Sequence, residues 1–350
     1  MDNPLAGDLD HILEHTQAVW NELRGARILI TGGTGFFGRW LLESLAWAQD
    51  RLGTGATAVV LSRDPESFRG RMPHLANHPA LSFQRGDVRG FEFPDGHFDA
   101  VVHAATDSGE KFARVGPLEM FTTIVNGTHR ALEFAVQAGA TRFLLTSTGA
   151  VYGRQVREVS QVPETFSGGS DCADARNCYD EAKRAAEMLC SGYFAEYGLE
   201  TKIARCFAFV GPYMPMDAHF AAGNFIRDGL RGGPIRVRGD GSAVRSYLYA
   251  ADLSIWLWTI LVRGRAGQAY NVGSENAVSI RELAEMVAGA FEPRPAVEVA
   301  GQPASGAHAV RYVPATGKAR DELETQEWVG LSEGLRKTVE WSRRQPISSP

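Results

Sequence analysis

Cysteine is scarce in this chain of 350 residues: there are four, at positions 172, 178, 190 and 206, and no C-x-x-C pair. That count and spacing argue against a disulfide framework and against a thiolate metal site, so free thiols and no metal are expected. Long apolar runs are missing too. None approaches the roughly 20 residues that cross a bilayer, so no membrane partner is expected. Positive charge is not in excess: the formal net charge is −5, which leaves no basic footprint for nucleic acid. Asp2, Asp8, Asp10 and Glu14 stand where a secretory leader would have a basic end and an apolar core. The expectation is a cytoplasmic protein.

Repeats and low-complexity tracts are absent as well, and the composition, 44% hydrophobic and 22% charged, is that of an ordinary globular chain. The length exceeds the ~250–300 residues at which a single core stops growing, so a second lobe is expected. Apolar positions Leu9, Ile12, Leu13, Val19 and Leu23 predict a helix before the first strand, within an extension at 1–24. His11 and His15 lie one turn apart on it, which is metal-ligand spacing. With no third ligand evident, they read as a solvated face.

Strands and helices then alternate. Strands are expected at 27–31, 58–62, 81–85, 100–103, 143–147 and 202–207, and helices at 39–49, 118–138 and 179–196. Such alternation implies an α/β fold with a parallel sheet covered on both faces. The stretch from 159 to 177, rich in Ser, Gly and Asp, reads as a loop. A main domain at 25–207, joined by 250–273, and a smaller lobe from 208–249 and 274–350 follow from this division.

The segment Ile28-Leu29-Ile30-Thr31-Gly32-Gly33-Thr34-Gly35-Phe36-Phe37-Gly38 runs from an apolar strand through spaced glycines into a helix. A bound dinucleotide needs that order. Gly32 permits the tight turn, Gly35 lets backbone N–H groups approach a pyrophosphate, and Gly38 lets helix pack on strand. Downstream stands Tyr179-Asp180-Glu181-Ala182-Lys183, a Y-x-x-x-K pattern. Further segments in order are Arg85-Gly86-Asp87-Val88, Val101-Val102-His103-Ala104-Ala105, Thr146 to Gly153, and Gly239-Asp240-Gly241 with Arg245.

With these motifs the chain resembles the extended branch of the short-chain dehydrogenase/reductase superfamily, the nucleotide-sugar epimerases, dehydratases and reductases. The resemblance spans about residues 27 to 341. It implies a Rossmann-type doubly wound sheet with a smaller C-terminal substrate-binding lobe, a nicotinamide cofactor, a nucleotide-diphosphate sugar as substrate and a homodimer built on the helices at 118–138 and 179–196. It also implies Tyr179 as acid/base, Lys183 as the charge that favours its phenolate, and Thr148 as the group orienting the reacting oxygen. Phe36, Phe37, Ala104 and Ala105 join the glycines around the cofactor, and Asp87 with Val88 face its adenine. Arg245 grips the substrate diphosphate, with Arg311 and Asn224 as further substrate candidates.

Four departures bear on the reaction. The second strand ends at Ser62-Arg63 where binders of the unphosphorylated cofactor place a carboxylate; a forked cation and a hydroxyl suit a 2′-phosphate, which favours NADP(H) over NAD(H). Ile124 replaces a supporting Asn, and Ala208 replaces a substrate-contacting Asn. Most telling, Gly149-Ala150 stands where family dehydratases carry Asp-Glu and uronate decarboxylases carry Glu. Elimination and decarboxylation are therefore disfavoured. Reduction of a nucleotide-linked 4-keto-6-deoxyhexose is the leading expectation, C4 epimerisation the alternative, and a non-catalytic cofactor sensor the third reading.

Overall fold

The computed structural model describes residues 3–106, 115–216, 220–302 and 309–345. Seven short segments rich in Val, Ile, Leu and Ala form one sheet: β1 (Arg27–Thr31), β2 (Thr57–Ser62), β3 (Leu81–Arg85), β4 (Ala100–His103), β5 (Arg142–Thr148), β6 (Glu200–Cys206) and β7 (Gln268–Val272). They lie in the order β7-β6-β5-β4-β1-β2-β3, and every pair is parallel. The chain starts in the middle and winds outward both ways, so strand order reverses between β1 and β4. That switch point, at the carboxyl ends of the strands, is where doubly wound sheets bind ligands.

The two-residue period of a strand sorts its side chains to opposite faces. Ile28 and Ile30 of β1 enter one core together with helices α1 (Ala6–Glu22), α2 (Phe36–Leu52) and α5 (Ala250–Arg263). Leu29 enters the other, with α3 (Pro117–Gln137) and α4 (Cys178–Tyr197). Helix ends follow local chemistry. Helix α2 starts at Phe36, three residues before the expected position, because extended Gly35 caps it, and it stops at left-handed Gly53. Helix α4 likewise stops at left-handed Gly198. A helix at Pro65–Arg71, not foreseen from the sequence, is nucleated by Pro65 in its first turn and by the Asp64 carboxylate, which accepts from the Ser67 N–H at 3.1 Å.

The smaller lobe holds a three-stranded sheet in which Val244–Ser246 pairs with Ala277–Ser279 and with Arg311–Tyr312. Helix α5 and strand β7 return to the large sheet and its cover. Helix α1 packs on α5 and α2, and its two histidines differ: His11 is half-buried, while His15 is exposed as expected of a solvated face. His11 Nε2 lies 3.1 Å from the fully buried Asp252, and the His15 ring stacks on Trp328 at 4.3 Å. Trp328 of the C-terminal segment lies against both rings, a contact the sequence spacing could not reveal.

One buried polar cluster ties α4 to three strands. Arg205 on β6 donates to Glu187 of α4 through Nη2 (2.7 Å) and Nε (3.1 Å), while Ser147 on β5 donates to the same carboxylate at 2.6 Å. Arg205 also donates to the Tyr152 hydroxyl at 2.9 Å, which in turn donates to Asn271 on β7 at 2.7 Å. Burial by itself would lower the Arg205 pKa, but the hydrogen bonds and charge of Glu187 outweigh it and push it up. Arg205→Ala strands a buried carboxylate and is expected to cost about 3 kcal/mol, the usual scale for breaking such a pair. Denaturant titration measures it; a loss below about 1 kcal/mol would mean that Glu187 does not depend on its partner.

Candidate active site

The glycine loop is shaped by contacts that leave no room for side chains. Gly32 has φ 72°, and a Cβ there would lie 2.3 Å from the Ala104 carbonyl oxygen. At Gly38 a Cβ would lie 2.3 Å from both the Gly32 oxygen and the Gly33 Cα. Gly33, unassigned on sequence grounds, is equally constrained, because a Cβ would meet the Val60 side chain at 2.5 Å. Gly35 differs: it is exposed, with only the Gly32 oxygen near its Cβ direction. No side chain caps the α2 end at Gly35, so the N–H groups of Phe36 and Phe37 head a helix whose partial positive charge lies at the switch point. These features fit a dinucleotide pyrophosphate.

Beneath the loop, His103 on β4 links three elements. Its Nδ1 lies 2.8 Å from Thr31 Oγ1 and its Nε2 3.1 Å from Thr128 Oγ1 on α3. Burial, with the charge of Lys183, pulls its pKa down to about 3, so the ring is a neutral brace. Ala105 N–H donates to Thr31 Oγ1 at 3.3 Å, which holds the Ala104-Ala105 turn against the loop. Val88 packs against α3 at Gly127, where a Cβ would come within 2.8 Å of it.

At the end of β2, buried Ser62 accepts from the Asp64 N–H at 3.2 Å. Asp64, the nearest carboxylate, is engaged as the cap of the following helix. Arg63 is exposed, and its charge contributes to the lowered pKa of Asp87, after the dominant hydrogen bonds from Arg89 at 2.8 and 2.9 Å. Arg39 donates to the Thr34 carbonyl at 3.1 Å, and burial together with the charge of Arg71 lowers its pKa. Arg63 and Arg89 thus both act on Asp87 at the exit of β2, while the Arg39 guanidinium lies 5.4 Å over the Tyr213 ring.

The candidate reacting residues converge at the carboxyl ends of β5 and β6. Thr148 closes β5, Tyr179 is the second residue of α4, and Lys183 follows one turn later, so Cα geometry alone turns Tyr179 and Lys183 to one side. Thr148 is hydrogen-bonded to Tyr179, which partly offsets the burial that pushes the phenol up to about 12. Lys183 donates to Thr106 Oγ1 and to the Thr146 carbonyl, both at 2.8 Å, and burial pulls its ammonium down to about 8. Gly149 faces the Phe207 ring, which a Cβ there would meet at 2.6 Å. No side chain fits at that position unless the ring moves.

A cavity of about 430 Å³ opens beside this cluster, lined by Arg154, Arg245, Arg311, Tyr312, Ser170 and Asp180 among others. Arg245 and Arg311 come together because their strands pair, Arg311 opposite Val244 and Tyr312 opposite Arg245. Arg154 and Tyr312 were not foreseen. Arg154 follows Tyr152-Gly153 in a motif that already pointed here, whereas Tyr312 lies 164 positions from its contact Thr148 and carried no local signal. Asn224 sits on the helix Ala221–Leu230 and is not among the side chains lining this cavity. Burial raises the Asp180 carboxyl pKa, against the opposing hydrogen bond from Ser170 at 2.7 Å. Among the described residues no cluster of three or more His, Cys, Asp or Glu is placed to hold a metal, and all four cysteines are free.

The model of the NAD dependent epimerase/dehydratase family matches residues 28–273. The chain belongs to that family. It is 32% identical over 313 residues to UDP-glucuronic acid decarboxylase 1 of Arabidopsis thaliana, covering 89% of this chain and 69% of that one. Its fold is similar to that of DesIV from Streptomyces venezuelae, a dTDP-glucose 4,6-dehydratase solved with NAD bound, at a TM-score of 0.75 and 29% identity over 91% of this chain and 97% of that one. A UDP-glucose 4-epimerase from Thermotoga maritima shares the fold at a TM-score of 0.73 and 23% identity, covering 91% and 99% of the two chains. The protein is accordingly an enzyme of the NAD-dependent epimerase/dehydratase kind, of the extended short-chain dehydrogenase/reductase class. No helix among the described residues is long and apolar enough to cross a membrane.

The Lys183 charge supplies a pH test. It is present below about pH 8 and lost above it. Catalytic efficiency for a reduction should therefore fall with a midpoint near 8 as the ammonium that favours the Tyr179 phenolate discharges. Unfolding would not mimic this. An unfolded lysine titrates near 10.5, so between 8 and 10.5 the unfolded chain binds more protons and this group favours folding increasingly as pH rises. A flat rate profile from pH 7 to 9.5, with unchanged melting, would refute the assignment.

Proposed function

We propose that this family member reduces a nucleotide-diphosphate-linked 4-keto-6-deoxyhexose at C4 with NADPH. The observation that carries the reading is an intact Thr148, Tyr179 and Lys183 next to Gly149-Ala150, where no carboxylate stands and the ring of Phe207 fills the space. Elimination and decarboxylation both require a further acid or base at that point, so they are left without one. This sets the chain apart in chemistry from the decarboxylases and dehydratase that it resembles in sequence and fold. A bound reduced nicotinamide supplies the hydride. Thr148 orients the carbonyl oxygen, Tyr179 passes its phenolic proton to that oxygen, and Lys183 holds positive charge beside the phenolate that forms. A phenol raised to about 12 is protonated at neutral pH, as the proton donor of a reduction must be.

The phosphorylated cofactor is favoured by Ser62 and Arg63, with Asp64 turned to capping a helix. Arg245, Arg311 and Arg154 offer three forked cations to a diphosphate. Asn224 remains a candidate for the nucleotide portion on its helix in the smaller lobe.

The test offers a panel of 4-keto-6-deoxy nucleotide sugars with NADPH or NADH carrying deuterium at the transferable position. A reductase places deuterium at C4 in every turnover, consumes cofactor stoichiometrically and binds NADPH more tightly. Many turnovers between C4 epimers with no cofactor spent would overturn the reductase and establish an epimerase instead.

The same reading includes a homodimer through α3 and α4. Leu118 and Met188 are 76% and 72% exposed, and an apolar hollow of about 380 Å³ is lined by Val125, Ala185, Met188, Leu189 and Tyr193. Such a face is what a symmetric four-helix contact would bury. Sedimentation should give a dimer, converted to monomer by Met188→Glu; a monomeric wild type would dismiss this contact.

A further inference from the structure

Tyr312 stands apart from the family chemistry described so far. It occupies a two-residue strand, yet it is held firmly. Val313 N–H donates to Gln155 Oε1 at 3.1 Å, the Val313 carbonyl accepts from Val162 N–H at 2.9 Å, and the strand pairs with Val244–Arg245. The Tyr312 ring stacks on Phe207 at 4.6 Å between centroids, with the Arg245 guanidinium 5.7 Å over it. This delivers the Tyr312 hydroxyl to within 3.3 Å of Thr148 Oγ1, with the Cys206 carbonyl next at 3.5 Å.

A threonine hydroxyl has one proton to give and two lone pairs to fill. One lone pair of Thr148 accepts from the Ala150 N–H at 3.2 Å. Tyr312 also has a single proton, and of the two acceptors in its reach Thr148 is the nearer. If Tyr312 fills the second lone pair, the Thr148 proton has only one useful direction left, toward the Tyr179 oxygen and the substrate oxygen beside it. We propose that Tyr312 is a positioning residue that fixes the direction of the Thr148 hydroxyl proton. This rests on the reading of Thr148 and Tyr179 as the proton-handling pair. Tyr312 itself stays neutral throughout, since burial pushes its pKa up. During the reduction the proton lost by Tyr179 goes to the C4 oxygen, and the Thr148 proton stays on Thr148, shared as a hydrogen bond between the C4 oxygen that it orients and the phenolate left behind.

The phenol ring alone can account for packing, so the decisive variant is Tyr312→Phe, which keeps the ring and removes only the hydroxyl. Two measurements read it. In the first, a fluorinated tyrosine of lowered pKa replaces Tyr179, and its ¹⁹F shift is titrated against pH in the full-length enzyme without substrate. Tyr312→Phe should raise the midpoint by roughly 0.5, because Thr148 is then free to turn its proton elsewhere. In the second, on whichever nucleotide sugar is turned over, Tyr312→Phe should lower kcat about tenfold with KM unchanged, as for one ordinary hydrogen bond. In a Thr148→Val background the same substitution should change nothing further. The first measurement needs no substrate, so it decides the matter even if the reductase reading fails. An unmoved Tyr179 midpoint, or an equal loss of kcat in both backgrounds, would overturn the proposal.

Discussion

The ion pair between Arg205 and Glu187 is the constraint on which the catalytic geometry rests. Glu187 lies one turn beyond Lys183 on the same helix, so fixing that carboxylate against β6 fixes the rotation of α4 and hence the direction of Lys183 and Tyr179. Ser147 brings β5, with Thr148 next to it, into the same cluster. Tyr152 and Asn271 extend it to β7, and the Asn271 amide donates to Val162 and Ala315 at 2.8 and 2.9 Å. That last step reaches the segment that carries Tyr312. A buried charged pair is costly to form, but once every lone pair and N–H is used it admits few alternative arrangements. Here that specificity sets the position of reacting atoms on three different elements.

Around this frame, burial shapes the acid–base chemistry. The same desolvation raises the Tyr179 phenol and lowers the Lys183 ammonium, so each group is pushed toward its neutral form. His103 is driven neutral by the same cause and by Lys183, which keeps a second positive charge out of the site. Further out, the balance reverses. The mouth is lined by three arginines and stays open, where anionic groups meet forked cations in a partly hydrated setting. Under the proposed function, a polyanionic ligand would be held at the rim and proton transfer would take place among the buried groups.

Much of this was legible from residue order. The alternation of apolar strands with amphipathic helices, the glycines at a strand–helix junction and the Y-x-x-x-K pair are local patterns, and local geometry acts on them directly. Gly32 must be glycine because φ is positive and the Ala104 carbonyl is against it. Tyr179 and Lys183 share a helix face because four residues make about one turn. Helix edges shifted by one to three residues, since caps such as Gly35 and Gly53 decide them one residue at a time. The absence of carboxylates at Gly149 and Ala150 could also be read at once.

Other features depend on where distant segments meet. His15 is exposed as its helix position implies, but the contact of His11 with Asp252 and the packing of both rings on Trp328 come from segments far along the chain. Arg205 and Glu187 are 18 positions apart with no motif linking them, and Tyr312 reaches Thr148 across 164. The amino-acid sequence by itself determined the class of fold and the shape of the glycine loop, and it marked Tyr179 and Lys183 as the candidate proton-transfer pair, because each is written within one or two turns of chain. Only the tertiary structure decided which buried charges are paired, which arginines share a cavity and which hydroxyl completes the Thr148 hydrogen bonds. Those depend on strand order and on long-range packing, and neither leaves a trace in local spacing.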